Sequence, residues 1–123
     1  MQNKYKHIDR FIKEEPAINS RQWLKVENIE IYLRSTSRYI EGREYKKVID
    51  IANIIANGKQ MVVDFYNLIN HIIIKCRETD IEIIYIENVL EEKLIRAYTA
   101  LGFKLVDDPH NQHITPCLFM KLK

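Results

Sequence analysis

Two histidines near the end of the chain, His110 and His113, have the spacing that comes closest to that of a metal site. Acidic residues precede them at Asp107 and Asp108, and Pro109 places the whole group in a turn. Zinc sites in proteins draw on at least three such ligands, usually with further His or Cys residues among them. No third His or Cys stands at a suitable spacing, so we predict no metal site.

The two cysteines, Cys76 and Cys117, are the candidate thiol nucleophiles. One falls in a helix-like run and the other in a strand-like run, and neither has the pattern of a catalytic triad beside it. Two lone cysteines in a chain with a normal apolar core are typical of buried thiols in a reducing compartment. We therefore expect no thiolate catalysis, and we expect a cytoplasmic protein.

The bulk composition predicts one folded domain over residues 1–123. Hydrophobic residues make up 46% of the chain and charged residues 29%, which is typical of a globular protein. The net charge of +2 is nearly balanced and no basic stripe carries aromatic residues, so a nucleic-acid partner is not expected. The polar N-terminal residues indicate no signal peptide, and no apolar run is long enough to cross a membrane.

Helices are predicted wherever apolar residues recur three and four positions apart. The first covers residues 2–15 and is ended by Pro16, and a second begins at about Val62. Between them, residues 23–26 lead into a strand over residues 29–40, in which buried and polar side chains alternate.

A hairpin turn is predicted at Gly42, which can adopt positive φ. Its partner strand over residues 45–56 is apolar enough in its second half to be central in the sheet. Two more strands are predicted near the end of the chain, over residues 103–106 and 114–122, with Pro116 marking an edge or a bulge.

A strand and a helix follow each other directly over residues 81–103. Residues 81–86 are β-branched or aromatic and apolar almost throughout, as in a strand buried on both faces with helices above and below it. Asn88 with Glu91 three residues later forms a capping-box pattern, which predicts that a helix begins there. Gly102 supplies the left-handed residue that ends the helix. Together these elements form half of a β-α-β crossover.

The end of this helix, AYTALGF, resembles the GNAT superfamily of acyl-CoA N-acyltransferases. In that family a helix ending in Tyr-x-x-x-Gly-Phe follows the fifth strand, and Tyr98, Gly102 and Phe103 occupy those positions here. The order of the predicted elements also matches the family from its second strand onward. The resemblance implies an α/β (α+β) fold, with a mixed, mostly antiparallel sheet and helices packed on both faces.

The resemblance also implies a site for acetyl-CoA. The family has a Gln/Arg-x-x-Gly-x-Gly/Ala loop, whose backbone N–H groups hold the pyrophosphate at the start of a helix. Here Gln60 matches the leading position, but Val63 and Phe65 replace the glycines and Asp64 lies between them. Valine does not readily adopt positive φ, and the Asp64 carboxylate repels a phosphate. The implied cofactor-binding residues are Ile54, Ile55, Ala56, Gln60, Met61, Val62, Val63 and Asn88.

Tyr98 has the family position of the general acid, which protonates the leaving thiolate, but a tyrosine on an apolar helix face is also an ordinary core residue. For a general base, Asp50 and Glu87 are the candidates, because both could face a cleft between splayed strands beside Asn53. Hydrogen-bonded structural roles are the alternative for these side chains. Asn88 similarly has its helix-cap role as the alternative to ligand binding.

Several charged side chains are expected on the surface. His71 is predicted to lie at the surface or in an interface. The basic residues of the hairpin are expected to be solvated, with contact to a phosphate or an acidic partner as the alternative; they are Arg34, Arg38, Arg43, Lys46 and Lys47.

These patterns favour a GNAT-like protein with a degenerate phosphate loop that binds a protein partner. An accessory or regulatory protein of a phage or mobile element would fit this description. The alternative is an active N-acetyltransferase, which moves an acetyl group from acetyl-CoA to an amine. The abundance of Ile, Lys, Asn and Tyr suggests an AT-rich genome, as in many phages. A second copy of the chain, in a homodimer, is a further candidate for the partner.

Overall fold

A computed structural model describes residues 3–14, 20–89, 91–107 and 115–123, which form three helices and six strands. The helices are α1 (Lys6–Glu14), α2 (Met61–Arg77) and α3 (Glu92–Ala100). The strands are β1 (Arg21–Val26), β2 (Ile29–Ile40), β3 (Arg43–Ala56), β4 (Ile83–Ile86), β5 (Lys104–Leu105) and β6 (Leu118–Lys121). Pro16, Leu90, Pro109 and Ile114 lie outside the described residues.

The six strands form one sheet in the order β1-β2-β3-β4-β6-β5. Strands β3 and β4 run parallel, and the four other neighbouring pairs run antiparallel. The parallel pair needs a crossover connection, which α2 supplies. The predicted fold class, a mixed and mostly antiparallel sheet with helices, is therefore confirmed, and β3 is central as predicted.

The larger hydrophobic core lies on one face of the sheet, and all three described helices bury their apolar side chains in it. It contains Ile8 and Phe11 of α1, Ile69 of α2 and Tyr98 of α3. The expectation that helices cover both faces is not met within the described residues. The opposite face carries a smaller cluster made only of strand residues and their neighbours, namely Ile40, Tyr45, Val48, Ile83, Tyr85, Cys117 and Phe119.

Two tight hairpins join the first three strands. The turn between β2 and β3 has positive φ at Glu41 and Gly42, 52° and 85°, which is the twist that a two-residue hairpin needs. The predicted turn at Gly42 is confirmed. A second hairpin separates β1 from β2 at Glu27, whose φ is 55°. Residues 23–26 therefore belong to a strand of their own and do not simply lead into the next one.

The predicted capping box at the start of α3 is wrong. The helix begins at Glu92, and its N-cap residue Glu91 is extended and makes no side-chain cap hydrogen bond. Asn88 instead adopts a left-handed conformation with φ of 51°, and its side chain accepts a hydrogen bond of 2.7 Å from the hydroxyl of Thr115. A hydrogen bond to a residue far along the chain replaces the local one.

The end of α3 follows the prediction. Gly102 has a φ of 106°, and the N–H of Phe103 donates to the carbonyl of Tyr98 over 3.1 Å. This is the backbone pattern that closes helices at a left-handed glycine. The strands on either side of this helix are shorter than predicted. Strand β4, for example, covers only the residues that pair with residues 48–51 of β3 and residues 118–121 of β6. Pro116 precedes β6 and does not interrupt it.

Candidate acyl-CoA site

Strands β3 and β4 separate halfway along β3. Only residues 48–51 of β3 pair with β4, and the last contact is a 3.1 Å hydrogen bond from the N–H of Glu87 to the carbonyl of Ile51. The next residue, Ala52, is an extra residue in the ladder with β2, because Leu33 pairs with Ile51 and Tyr32 pairs with Asn53. Such a β-bulge bends a strand. The parallel strands are therefore splayed, and a gap opens between them.

A cavity of about 180 Å³ lies in this gap. Tyr98 and Leu94 line it from the helix-covered side of the sheet, Asn53 lines it from β3, and Glu87 lines it from the end of β4. Its remaining walls are formed by Ile51, Ala52, Ile54, Ile86, Asn88, Val89 and Glu91. Of the three side chains expected at a cleft between splayed strands, Asn53 and Glu87 line this cavity and Asp50 does not.

A larger groove of about 560 Å³ continues from the cavity, with which it shares Ile54, Glu91 and Leu94. It runs between the end of β3 and the first turns of α2 and α3. Five predicted cofactor-binding residues line it, Ile54, Ile55, Ala56, Met61 and Val62. Gln60 and Val63 do not line it, and Asn88 lines the smaller cavity instead. Sequence reasoning missed Phe65, Tyr66, Glu91, Lys93, Leu94 and Ala97.

The N-terminus of α2 stands at one end of this groove. Gln60 is its N-cap residue, with no side-chain cap hydrogen bond, and the first intrahelical bond is donated by Asp64 to the Gln60 carbonyl over 2.9 Å. The N–H groups of the residues between them, 61–63, therefore have no intrahelical acceptor. This first turn is helical, and the positive φ nearby, 94°, belongs to Gly58. Valine fits such a backbone, so the missing glycines do not prevent these amides from binding an anion.

Phe65, at the second of the expected glycine positions, is a core residue. It is buried, and its ring packs against those of Tyr66 and Tyr98, with centroids 5.6 and 5.2 Å away. An apolar residue is required here because α2 packs on the sheet at this point. The helical spacing that places it in the core was visible in the sequence, although its contact with the groove was not.

Tyr98 is only 1% exposed, and its ring is packed edge-on between Phe65 and Phe103. Its hydroxyl is buried without a hydrogen-bond partner among the described residues. Burial raises the pKa of this hydroxyl well above its usual value, because the phenolate would be poorly solvated. Tyr98, which lines the cavity, is therefore protonated at any physiological pH.

Asp50 lies at the centre of an ion-pair network on the sheet face opposite the helices. It is completely buried and accepts hydrogen bonds from Arg38 and from the hydroxyl of Thr36. Arg34 lies 3.6 Å away, and both arginines also contact the carboxylate of Glu87. The expectation that the basic hairpin residues are solvated is therefore wrong for Arg34 and Arg38. It is met for the exposed Arg43 and Lys46, while Lys47 pairs with Asp80 at the surface.

The carboxylate of Glu87 lies beside this network at the edge of the cavity. Burial, together with the nearby charge of Asp50, raises the pKa of Glu87, and Arg34 and Arg38 oppose this shift. A carboxylate with a raised pKa is better matched to proton transfer near neutral pH than an ordinary one. Asp50 does not line the cavity.

The remaining candidates do not add to this site. Within the described ranges, no group of three or more His, Cys, Asp or Glu side chains could hold a metal ion. His110 and His113 lie outside those ranges. His71 is not at the free surface: it stacks on Tyr5 and hydrogen-bonds Asp9, between α2 and α1. None of the helices in the described part of the chain is long and apolar enough to span a membrane.

Comparisons with known proteins bear on the fold. No protein-family model matches the sequence, and no curated protein matches it. Two solved structures are similar to it. One is the AtaT toxin bound to the C-terminus of the antitoxin AtaR and to acetyl-CoA, with a TM-score of 0.53 and 12% identity over 76% of this chain. The other is the KacTA–DNA complex, with a TM-score of 0.60 and 13% identity over 95% of this chain.

The aligned part spans 58% of the AtaT chain and 80% of the chain in the KacTA–DNA complex. At these identities the similarity establishes the fold and nothing further. The mixed, mostly antiparallel sheet and its splayed parallel pair agree with what the resemblance of the sequence implied. The chain therefore has a divergent GNAT-like fold.

Proposed function

We propose that this protein is a cytoplasmic N-acyltransferase that binds acetyl-CoA and transfers its acetyl group to an amine. The observation that carries the proposal is Tyr98, which lines the cavity between the splayed strands and whose hydroxyl is buried without a partner among the described residues. Buried polar groups in proteins are nearly always hydrogen-bonded, so a hydroxyl of this kind calls for a ligand.

The chain offers contacts for the pyrophosphate, the pantetheine arm and the thioester of acetyl-CoA. The N–H groups of residues 61–63, which have no intrahelical acceptor, and the dipole of α2 suit the pyrophosphate. The end of β3, from Ile54 to Ala56, pairs with β2 on one side but not with β4 on the other, so backbone groups on its open side are offered along the groove to the pantetheine arm. The continuity of groove and cavity then leads the thioester to Tyr98.

In the reaction, the amine nitrogen attacks the acetyl carbonyl carbon and the carbon–sulfur bond breaks. Tyr98 donates its proton to the departing thiolate, and Glu87, which lines the same cavity, accepts a proton from the amine. Asn53, a further lining residue, hydrogen-bonds the acceptor. Proton balance is restored when Glu87 releases its proton to solvent and the phenolate takes one up from solvent. The neighbouring AtaT toxin, whose structure includes acetyl-CoA, supports this choice of cofactor.

Isothermal titration with acetyl-CoA tests the proposal. We expect micromolar binding by the wild type. Val62 lines the groove, whereas Ile74 is exposed further along the same helix and lines neither the groove nor the cavity, so the two form a matched pair. Val62→Trp fills the groove and should weaken binding at least about tenfold, while Ile74→Trp should leave it unchanged. No binding by the folded wild type at millimolar acetyl-CoA would overturn the proposal.

A second candidate is a protein that acts by binding a partner rather than by catalysis. It is favoured by the open sheet face, where Trp23 is 49% exposed and stacks on Tyr32 with centroids 5.0 Å apart, and by Asp64 beside the anion site. The antitoxin segment on AtaT supports a protein partner. The sequence predicted that nucleic acid is an unlikely partner. The comparisons do not support that expectation, because the KacTA complex contains DNA. Failure of acetyl-CoA to bind would favour this candidate.

A further inference from the structure

The ion-pair network on the sheet face opposite the helices joins two arginines of β2 to two carboxylates. Asp50 stands in the middle of β3, and Glu87 directly follows β4. Cross-strand pairing places Arg34 opposite Asp50 and Asp50 opposite Tyr85. The network therefore spans three adjacent strands and ends at the cavity that Glu87 shares with Tyr98.

Asp50 is the anchor of this network and not a group that reaches a substrate. Its Oδ1 accepts hydrogen bonds from Nε of Arg38 at 2.9 Å and from the Thr36 hydroxyl at 3.0 Å. Its Oδ2 accepts from Nη2 of Arg38 at 2.7 Å. With 0% exposure and both oxygens engaged, this carboxylate has no route for proton exchange with a bound amine.

Arg38 contacts three other side chains. Two of its nitrogens donate hydrogen bonds to Asp50 as a fork, and its guanidinium lies over the ring of Tyr85, 4.0 Å from the centroid. The same Nη2 atom that bonds Asp50 also contacts Oε1 of Glu87. A guanidinium can hold Asp50 with two nitrogens while one of them also reaches Glu87, whereas a lysine ammonium carries a single nitrogen and cannot form the fork.

Glu87 is consequently held through one of its two oxygens. The contacts from Arg34 and Arg38 both end on Oε1, and among the described residues no hydrogen bond ends on Oε2. Oε2 is thus left without an arginine contact and keeps its capacity to accept a proton, while Oε1 is held by the two arginines. The carboxylate of Asp50 is the other acidic group close to Glu87, and it helps to raise the pKa of Glu87. This is the arrangement that a fixed proton acceptor requires.

We propose that Arg38, fixed by the buried carboxylate of Asp50, is the positioning residue that holds Glu87 at the cavity as the proton acceptor for the incoming amine. This inference rests on the proposed function and assigns roles that the sequence left open. Asp50 and Glu87 were equivalent candidate bases there. The geometry divides them into an anchor and an acceptor, with Arg38 as the link.

Carbon-13 NMR titration of the glutamate carboxyl carbons tests this link without needing to know the acceptor. Glu87→Gln identifies the Glu87 signal. Arg38→Gln removes a positive charge beside Glu87, so its midpoint should rise by about one unit. Arg38→Lys keeps the charge but loses the fork, so a smaller rise is expected together with a broadened signal. Arg43→Gln alters an exposed arginine of the same hairpin, which lies over Tyr45, and should change nothing.

Acetyl transfer to the best acceptor among a polyamine, a peptide and an aminoglycoside adds a kinetic readout. Arg38→Lys should lower kcat about 10-fold to 100-fold with little change in the Kd of acetyl-CoA, because the network lies away from the groove. Arg38→Gln should move the acidic limb of the pH–rate profile upward, following the NMR midpoint. Circular dichroism checks that each variant is folded, and Arg38→Lys remains informative if Arg38→Gln is not.

The outcomes separate this inference from the function on which it rests. If the wild type does not bind acetyl-CoA, the proposed function fails. If the wild type binds acetyl-CoA but the Glu87 midpoint is the same in the wild type and in both Arg38 variants, the positioning role of Arg38 is overturned.

Discussion

The ring of Tyr98 on α3 meets the ring of Phe65 on α2 edge-on, with centroids 5.2 Å apart and planes inclined at 66°. The ring therefore belongs to the core that joins the two helices, while the residue also lines the cavity and its hydroxyl is buried without a partner among the described residues. One residue combines a packing role with a chemical one, and the two are separable because only the second needs the oxygen atom.

Tyr98→Phe separates these roles. The variant keeps the aromatic packing and removes a buried hydroxyl without a partner among the described residues, so its free energy of unfolding should equal or exceed that of the wild type by up to about 1 kcal/mol. Acetyl transfer should fall by roughly 100-fold or more, since a positioned general acid contributes on that scale. Urea unfolding and coenzyme A release measure the two effects. Tyr39→Phe, at a side chain 74% exposed, should alter neither. A large loss of stability in Tyr98→Phe would show that the hydroxyl is structural.

The contact between α1 and α2 should depend on pH. His71 hydrogen-bonds Asp9 at 2.6 Å, and Asn3 donates to the same carboxylate at 3.0 Å. Burial alone would raise the pKa of Asp9, but the hydrogen bonds from His71 and Asn3 lower it below its usual value. A lowered pKa in the folded state gives stability that is present above the unfolded pKa and is lost as pH falls through the folded one.

Asp9→Asn should therefore be less stable than the wild type at neutral pH, by about 1–3 kcal/mol. The difference should shrink as the pH falls below about 4. Urea unfolding at a series of pH values measures it. Glu92→Gln, which removes an exposed carboxylate 3.8 Å from Arg96, serves as the control and should cost almost nothing at any pH. A difference for Asp9→Asn that is constant from neutral to acidic pH would contradict this account.

Gly102, which ends α3, can be compared with Gly42 of the hairpin turn, because both have positive φ. Gly102 has a φ of 106°, and an added Cβ would lie 3.3 Å from the terminal methyl of Met120; Gly42 has a φ of 85° with open space around it. Both alanine variants should lose about 1–2 kcal/mol from backbone strain. Because the Met120 methyl can move aside, Gly102→Ala should cost only slightly more. Thermal unfolding of the pair measures the difference, and a much larger loss at Gly102 would show that Met120 is fixed in place.

The thiol of Cys76 should be unreactive in the folded protein. It is fully buried, and burial raises its pKa to about 12, so almost no thiolate forms at neutral pH. Labelling with a thiol-specific disulfide reagent should proceed only as the protein unfolds in urea. Cys117, also buried, should behave similarly, and Cys76→Ala shows which signal belongs to which thiol. Rapid labelling of Cys76 in native buffer would contradict its burial.

Some parts of the fold were predictable because their causes are local. Gly42 and Gly102 adopt left-handed conformations that few other residues tolerate, so the turn and the helix end follow from residue type alone. The uninterrupted apolar run over residues 83–86 forms a strand in which all four residues are buried. The resemblance of residues 97–103 to the GNAT family also led to the correct fold class, a mixed and mostly antiparallel sheet with helices.

The capping-box prediction failed for a reason that a local pattern does not contain. Asn88 and Glu91 have the right residue types at the right spacing, but Thr115 takes the Asn88 side chain, and the helix begins after Glu91. Similarly, the sequence around Arg34 and Arg38 is that of a hairpin strand, which predicted that both side chains would be solvated. Their partner Glu87 becomes available only because β4 pairs in parallel with β3.

The sequence by itself determined the order of most helices and strands and which of their faces are apolar, because side-chain spacing and backbone preferences act over a few residues. Tertiary structure alone decided that Tyr98, Asn53 and Glu87 share one cavity and that Asp50 is engaged by Arg38. Those meetings depend on strand register and on a β-bulge at Ala52, which are set by the packing of the whole sheet.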